Sequence, residues 1–349
     1  MSAPTTAPRI ATAEEITPAW IGEVLGAVPD AVRVSPVGFG QIGSCLRVAL
    51  SGEGLPASVL VKLPTADAGT RGMLVGAYRS EVSFYRDLEP TVAVDVPRCH
   101  LATDVTDDGC FTLVLEDLAP AEQGDQLLGG TPDQVRGAAE NLAGLHGPRW
   151  CDPALLDLGW ITMQDAAGAD LLHQVYGPAI DAFLDITGSL MSPEAAATVR
   201  DTQDVVVDWS LARAERFGIV HGDYRLDNLM FSPDPAVPVK AVDWQTLSLG
   251  LPAKDLAYLV ATSLDPGVRR EHERSVVAAY HARLVEHGVT DHPLEECFED
   301  YRFAMLQGIL VSVFGCAYGA RTERGDRMFA VMVERTAAAV RELGTLDLL

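Results

Sequence analysis

The sequence predicts an α+β protein in two lobes, a β-rich N-terminal lobe and a mainly helical C-terminal one. Short β-branched runs between glycine-rich turns dominate up to about residue 118. Beyond about residue 120, apolar residues recur mainly at helical spacing. The 349-residue length leaves room for a substantial core and two lobes, with ~150 residues as a soft size for one domain. The expected division is a disordered N-terminus at 1–11, a first lobe at 12–118 and a second at 119–349.

The first eleven residues are mostly small and polar with two prolines. In "TPAWIGEVLG", Thr17 is placed as an N-cap and Pro18 as the first helical residue. "AVRVSPV", "CLRVAL" and "SVLVKL" read as strands. "TRGMLVGAYRSEVSFYRDL" reads as a helix, because Leu74, Tyr78, Glu81, Tyr85 and Leu88 fall on one face. "RCHLATDV" and "FTLVLED" flank an Asp108-Gly109 turn and read as a hairpin. In the second lobe, "TPDQVRGAAENLAGLH" starts a helix at Thr131-Pro132, and helices are expected over 170–186 and 192–217. Strand-like Ile219-Val220 and "VKAVDW" interrupt them before helices resume to the C-terminus.

Composition narrows the function. A formal charge of −23 repels phosphate backbones and anionic membranes, so neither nucleic acid nor membrane is expected as a partner. An anionic ligand requires local cations or metal ions to reverse the field. The six cysteines form no C-x-x-C pair, so reduced thiols are expected rather than a zinc or redox site. No basic-then-apolar leader opens the chain, and no apolar run reaches the ~18 residues of a membrane span. These features fit a soluble cytoplasmic protein, monomer or homodimer.

Two charges stand where apolar residues belong. Glu81 lies on the apolar stripe of its helix, and a carboxylate there costs several kcal/mol unless paired. Lys62, in the apolar run "SVLVKLP", is the candidate partner, as a functional pair or as a structural salt bridge. "VGFGQIGSCLRV" contains a G-x-G-x-x-G at Gly38, Gly40 and Gly43. A strand follows it rather than a helix, which disfavours a dinucleotide-binding fold and suits a loop covering phosphates.

"IVHGDYRLDNLMF" is the most specific signal. Asp223 and Asn228 have the five-residue spacing of a kinase catalytic loop. There the Asp orients a substrate hydroxyl and the Asn oxygen holds Mg²⁺. Arg225 is placed like the loop cation that meets the transferring phosphate. Asp243, at the end of "KAVDW", suits a second Mg²⁺ ligand. Turn and capping roles explain His221, Asp223 or Asp227 singly, but not the ordered set Lys62, Glu81, Asp223, Asn228, Asp243.

With these residues in place, the chain resembles the aminoglycoside phosphotransferase-like small-molecule kinases, which include choline- and ecdysteroid-kinase-like branches. The matching residues are "LVLEDL" at 113–118, "NLAGLH" at 141–146, "HGDYRLDN" at 221–228, "VDW" at 242–244 and "GLPAKDLAYL" at 250–259. The resemblance implies a bilobal protein-kinase-like fold with ATP and Mg²⁺ as cofactors. It also implies a hinge near Glu116 to Leu118 whose backbone holds adenine, and a fold-holding role for Asp255. Gln245, after Trp244, departs from the aminoglycoside enzymes and is similar to the ecdysteroid-kinase-like branch, which argues against an aminoglycoside acceptor.

The implied reaction moves the ATP γ-phosphoryl group to a hydroxyl of a small molecule such as an antibiotic, sugar, steroid or other natural product. Asn228 and Asp243 would hold Mg²⁺, Lys62 fixed by Glu81 the α- and β-phosphates, and Asp223 the hydroxyl. The acceptor pocket is expected among helices after residue 150. Trp150, Trp160, Tyr176, Phe183 and Trp209 there would favour a flat acceptor, although core packing accounts for most of them. Asp181, Asp185, Glu295, Glu296 and Asp300 would favour a polycationic one. Two other classes compete: a nucleotide-binding regulatory protein without turnover, and a metal-dependent hydrolase built on His221, Asp223 and Asp243. The hydrolase would leave Lys62, Glu81 and the glycines without a role.

Overall fold

The structure, a computed structural model, describes residues 7–37, 43–234 and 238–349. The chain forms two compact units. The first takes Met1–Pro90, Val96–Pro120 and Asp243–Thr246; the second takes Thr91–Asp95, Ala121–Val242 and Leu247–Leu349. The first therefore also holds a four-residue piece from far along the sequence.

The first unit is built on an antiparallel sheet of β1 (Ala31–Pro36), β2 (Ser44–Ser51), β3 (Ser58–Leu63), β4 (Cys99–Ala102) and β5 (Leu113–Glu116), in the order β1-β2-β3-β5-β4. Helix α1 (Pro18–Leu25) precedes it, and α2 (Ala68–Met73) and α3 (Val75–Ser83) follow β3. The Thr17 hydroxyl accepts from the Trp20 amide, Pro18 opens α1, and Gly26 closes it at φ 82°. Trp20, Ile21 and Val24 of α1 pack with Val48, Val59, Val61 and Leu63 in one core. Each such side chain contributes roughly 1.5–3 kcal/mol by leaving water. Burial alternates along β3, so Val59, Val61 and Leu63 face that core while Lys62 points to the opposite face. The β4–β5 turn carries Gly109 at φ 80°, as Asp108-Gly109 implied, but the loop is longer than a tight hairpin.

Residues 7–11 do not match the expected disorder. Ala7 and Ile10 are buried in the same core. The Ile10 amide donates to the Thr112 hydroxyl, which donates back to the Ile10 carbonyl, both at 2.8 Å. The composition of the stretch is polar overall, but these two apolar residues find the edge of the α1 core.

The second unit carries the other helices: α4 (Pro132–His146), α5 (Ala166–Thr187), α6 (Pro193–Asp201), α7 (Val206–Leu211), α8 (Ala253–Ser263), α9 (Pro266–Glu286), α10 (Leu294–Phe303), α11 (Leu306–Tyr318) and α12 (Glu323–Leu343). Two small antiparallel sheets stand among them. β7 (Gly218–Val220) pairs with β10 (Ser248–Gly250), and β8 (Leu229–Phe231) lies between β6 (Glu122–Gln123) and β9 (Val239–Ala241). A capping box between Thr131 and Gln134 starts α4. Helix α8 is buried along nearly its whole length. The stretch 294–318 holds an 18-residue window apolar enough on average to resemble a membrane span, but 61% of that window is buried.

The helix expected over 192–217 is broken. Only α6 and α7 form, and Arg213 takes φ 59°. Arg213 and Arg216 both pair with the buried Asp300 of α10, which draws 212–217 off the helical path. The six cysteines are all free thiols.

Candidate active site

In the first unit, Lys62 and Glu81 form the ion pair that their misplaced charges suggested. Lys62 Nζ lies 2.5 Å from Glu81 Oε1, and the Glu81 side chain is 1% exposed. Burial alone would lower the Lys62 pKa, but the charges of Glu81 and Asp243 outweigh it and hold the ammonium above its ordinary value. The other Glu81 oxygen accepts from Gln245 Nε2 at 3.2 Å. The unusual glutamine after Trp244 thus occupies the lone pair that Lys62 leaves open.

Asp243 belongs to this unit and has φ 70°, a left-handed backbone unusual for a residue with a side chain. Trp244 stacks face to face on Phe84, with ring centroids 3.6 Å apart and planes 4° from parallel. The Val242 amide, just before, donates to the Asn228 carbonyl at 3.0 Å. The backbone is held on both sides of Asp243, which is how such a conformation persists.

Of the three glycines, Gly38 and Gly40 lie outside the described residues. Gly43 has φ 148°, and a Cβ there would stand 2.7 Å from the Leu63 carbonyl oxygen, so no larger residue fits. At the expected hinge, the Glu116 amide donates to the Arg98 carbonyl and its carboxylate accepts from the Arg98 amide. Leu118, two residues on, is partly buried.

In the second unit, β7 leads into the 221–228 loop and β8 leads out, so both ends are fixed by sheet pairing. Asn228 Nδ2 donates to the Asp223 carboxylate at 2.8 Å and to the Asp223 carbonyl at 2.9 Å. The other carboxylate oxygen accepts from Arg225 Nε and from the Tyr258 hydroxyl, each at 2.9 Å. Arg225 also pairs with Asp227 at 2.8 Å. Burial opposes the Arg225 charge, but Asp223 above all raises its pKa further. Burial and the Asp223 charge push the Tyr258 phenol well above its usual value, so it remains a donor.

The rest of the loop is scaffold. Both Asp255 oxygens accept backbone amides, from His221 at 2.6 Å and Gly222 at 2.9 Å. His221 bonds the Val242 carbonyl through Nε2 and the Asp223 amide through Nδ1, a pattern that fits the Nε2–H tautomer. That leaves the ring no free nitrogen to act as a base. Asp227 accepts the Gln126 amide at 2.8 Å, and Gln126 Oε1 accepts the Leu226 amide at 2.9 Å.

Sequence reasoning did not find Tyr258, Gln126 or a partner for Gln245. Tyr258 had a signal: it stands three residues after Asp255 on α8, on the face turned to the loop. The five acids expected to line an acceptor pocket do not converge. Asp181 and Asp185 are exposed, while Asp300 and Glu296 are paired with arginines. Tyr176, Phe183 and Trp209 are core residues, as packing alone predicts.

Residues 172–290, which include the whole loop and α8, match the ecdysteroid kinase-like family. A 48-residue stretch is 48% identical to Acyl-CoA dehydrogenase family member 10 of Mus musculus; it is 14% of this chain and 4% of that protein, so the chain spans a small part of that relative's length. The fold is similar to the microcompartment-associated aminopropanol kinase, with a TM-score of 0.58, 17% identity, and coverage of 92% of this chain and 95% of that one. It is also similar to the GDP complex of aminoglycoside 2'-phosphotransferase-IIIa, with a TM-score of 0.53, 14% identity, and coverage of 88% and 94%. At such identities the structural likeness is one of fold. The chain has the protein-kinase-like fold of small-molecule kinases, and family match and fold together support a small-molecule phosphotransferase.

Proposed function

We propose that the protein transfers the γ-phosphoryl group of ATP to a hydroxyl of a small molecule, with Mg²⁺. The observation that carries this reading is the Asn228 side chain, whose nitrogen is fully spent on Asp223. That orientation leaves the Asn228 oxygen for a cation and holds the Asp223 carboxylate still. Neither a turn nor a cap requires both.

Transfer of this kind depends on positioning and charge stabilisation. Asp223 would accept the hydroxyl's hydrogen bond and take its proton late in the transfer. Arg225 and Tyr258 would hold that carboxylate oriented. Lys62, kept charged by Glu81, would hold the α- and β-phosphates. Gly43, with Gly38 and Gly40, would bring backbone amides against them, and the segment from Glu116 to Leu118 would meet adenine. The Glu116 amide is already used, so that contact falls to the residues after it.

Among the described residues, no three His, Cys, Asp or Glu side chains converge as a metal cage. Mg²⁺ takes only one or two protein oxygens and fills its remaining positions with water and phosphate, so Asn228 and Asp243 suffice as its protein ligands. When bound it would neutralise charge on the β- and γ-phosphates. A screen of hydroxylated compounds with ATP, read by product mass, tests the reading. Asp223→Asn and Asp243→Ala are expected to abolish product while leaving the circular dichroism spectrum unchanged. Undiminished phosphorylation by either variant would overturn it.

A further inference from the structure

The second unit contains a cavity of about 400 Å³. Leu172, Val175, Leu249 and Leu310 supply apolar wall, and Gln164 and Gln307 supply neutral polar groups. Among the described residues, no aspartate or glutamate lines it, in a chain of net charge −23. Lys254 is the one charged lining residue among those described, and its Nζ sits 4.4 Å from the centroid of the Trp209 ring. The Trp209 indole N–H donates to the Phe303 carbonyl at 2.9 Å, so the ring is a fixed platform.

Among the described residues, no carboxylate pairs with Lys254. The neighbouring Asp255 has both oxygens taken by the His221 and Gly222 amides. Lys254 also stands in the first turn of α8, where the helix dipole is itself positive. Burial pushes its pKa down to about 8, with Asp255 offsetting only part of the effect. An ammonium held at such a cost, facing an apolar cavity without acids, is matched by a ligand that brings its own anion.

We propose that this cavity binds a small apolar molecule bearing a carboxylate, and that Lys254 pairs with that carboxylate over the Trp209 ring. The cavity also borders the catalytic loop. Val220 lines it three residues before Asp223, and Lys254 lies one turn before Tyr258, which donates to Asp223. The ligand is therefore the phosphate acceptor, a statement that rests on the phosphotransfer reading; the binding site does not.

Calorimetric titration of the full chain without nucleotide tests the site, with hexanoate, hexanamide and hexylammonium as probes. Hexanoate is expected to bind about tenfold or more tighter than hexanamide, the scale of one charge-assisted contact, with hexylammonium weakest. Lys254→Met removes that preference and Lys254→Arg keeps it. Equal binding of the three probes, a preference for hexylammonium, no saturable binding of hexanoate, or a preference that survives Lys254→Met overturns the proposal. If Lys254→Met fails to fold, the comparison of probes on the native chain and on Lys254→Arg still decides. With MgATP, ω-hydroxyhexanoate is expected to yield its phosphomonoester; binding without that product removes the acceptor role alone. Failure of every hydroxylated compound to be phosphorylated would defeat the kinase reading and leave carboxylate binding intact.

Discussion

The Tyr258 hydroxyl donates to Asp223 Oδ1 at 2.9 Å, so a buried residue of α8 holds the carboxylate proposed to orient the acceptor. The contact supplies the third donor group around that carboxylate, after Asn228 and Arg225. It also couples the loop to the most buried helix of its unit.

Tyr258→Phe removes this donor and nothing else of size. A hydrogen bond to a charged group contributes about 1.5–3 kcal/mol, so phosphoryl transfer is expected to fall roughly ten- to a hundredfold. ATP binding should not change, because the lost bond touches only Asp223. ADP release, measured on an acceptor found by the mass screen, together with ATP-induced thermal protection, checks both halves. Equal loss of ATP protection would show that Tyr258 acts on nucleotide instead.

Lys62→Met leaves the nearly inaccessible Glu81 carboxylate with only Gln245 as a partner. Breaking a buried pair in this way costs about 3 kcal/mol, whereas replacing both members with apolar residues is often close to neutral. The urea midpoint is therefore expected to drop in Lys62→Met and to recover largely in Lys62→Met/Glu81→Leu. Both variants should lose thermal protection by MgATP. A double variant as unstable as the single one would mean that the pair itself is not the source of the cost.

Asp255→Asn tests the loop scaffold. Its side chain would turn an N–H toward the His221 or Gly222 amide, leaving a buried donor unsatisfied at about 1–3 kcal/mol. The expected result is a lower urea midpoint or loss of soluble protein. Similar midpoints for Asp255→Asn and the parent chain would refute the scaffold role.

Lys254 gives the chain a pH dependence of definite sign. Its pKa is about 8 in the folded chain and near 10.5 when unfolded, so between these values the unfolded state holds more protons. Stability attributable to this residue then rises as pH increases through that window, and the full penalty is present below it. Allowing for partial solvent access, the change is on the order of 2 kcal/mol. Urea unfolding of the parent and Lys254→Met at pH 7 and 9.5 checks this: Lys254→Met should be the more stable at pH 7, and its advantage should shrink at pH 9.5. A constant difference would contradict the depressed pKa.

The sequence exposed those parts of the site where a charge breaks a hydrophobic pattern. Lys62 interrupts an apolar run and Glu81 an apolar stripe, so each was visible without the other. Asp223 and Asn228 were visible through local spacing. Gln126 and Gln245 were not, because neutral amides disturb no pattern and their partners are 100 and 164 residues away. The break after α7 was hidden for the same reason: Arg213 and Arg216 answer to Asp300, more than 80 residues on. Fold class and the strands of the first unit came through local periodicity, while the order of those strands and the assignment of Asp243–Thr246 to the β-rich unit depend on long-range pairing, stacking and hydrogen bonding.

The left-handed backbone at Asp243 sets the fold and the proposed chemistry in competition over a single residue. Glycine would occupy φ 70° without steric penalty, and asparagine tolerates it better than most residues. Asp243→Gly should therefore stabilise the chain against heat by relieving on the order of 1 kcal/mol of backbone strain, while removing a carboxylate that magnesium would need. An inactive protein that melts later than its parent would be the signature of a residue kept for its charge at the expense of its conformation.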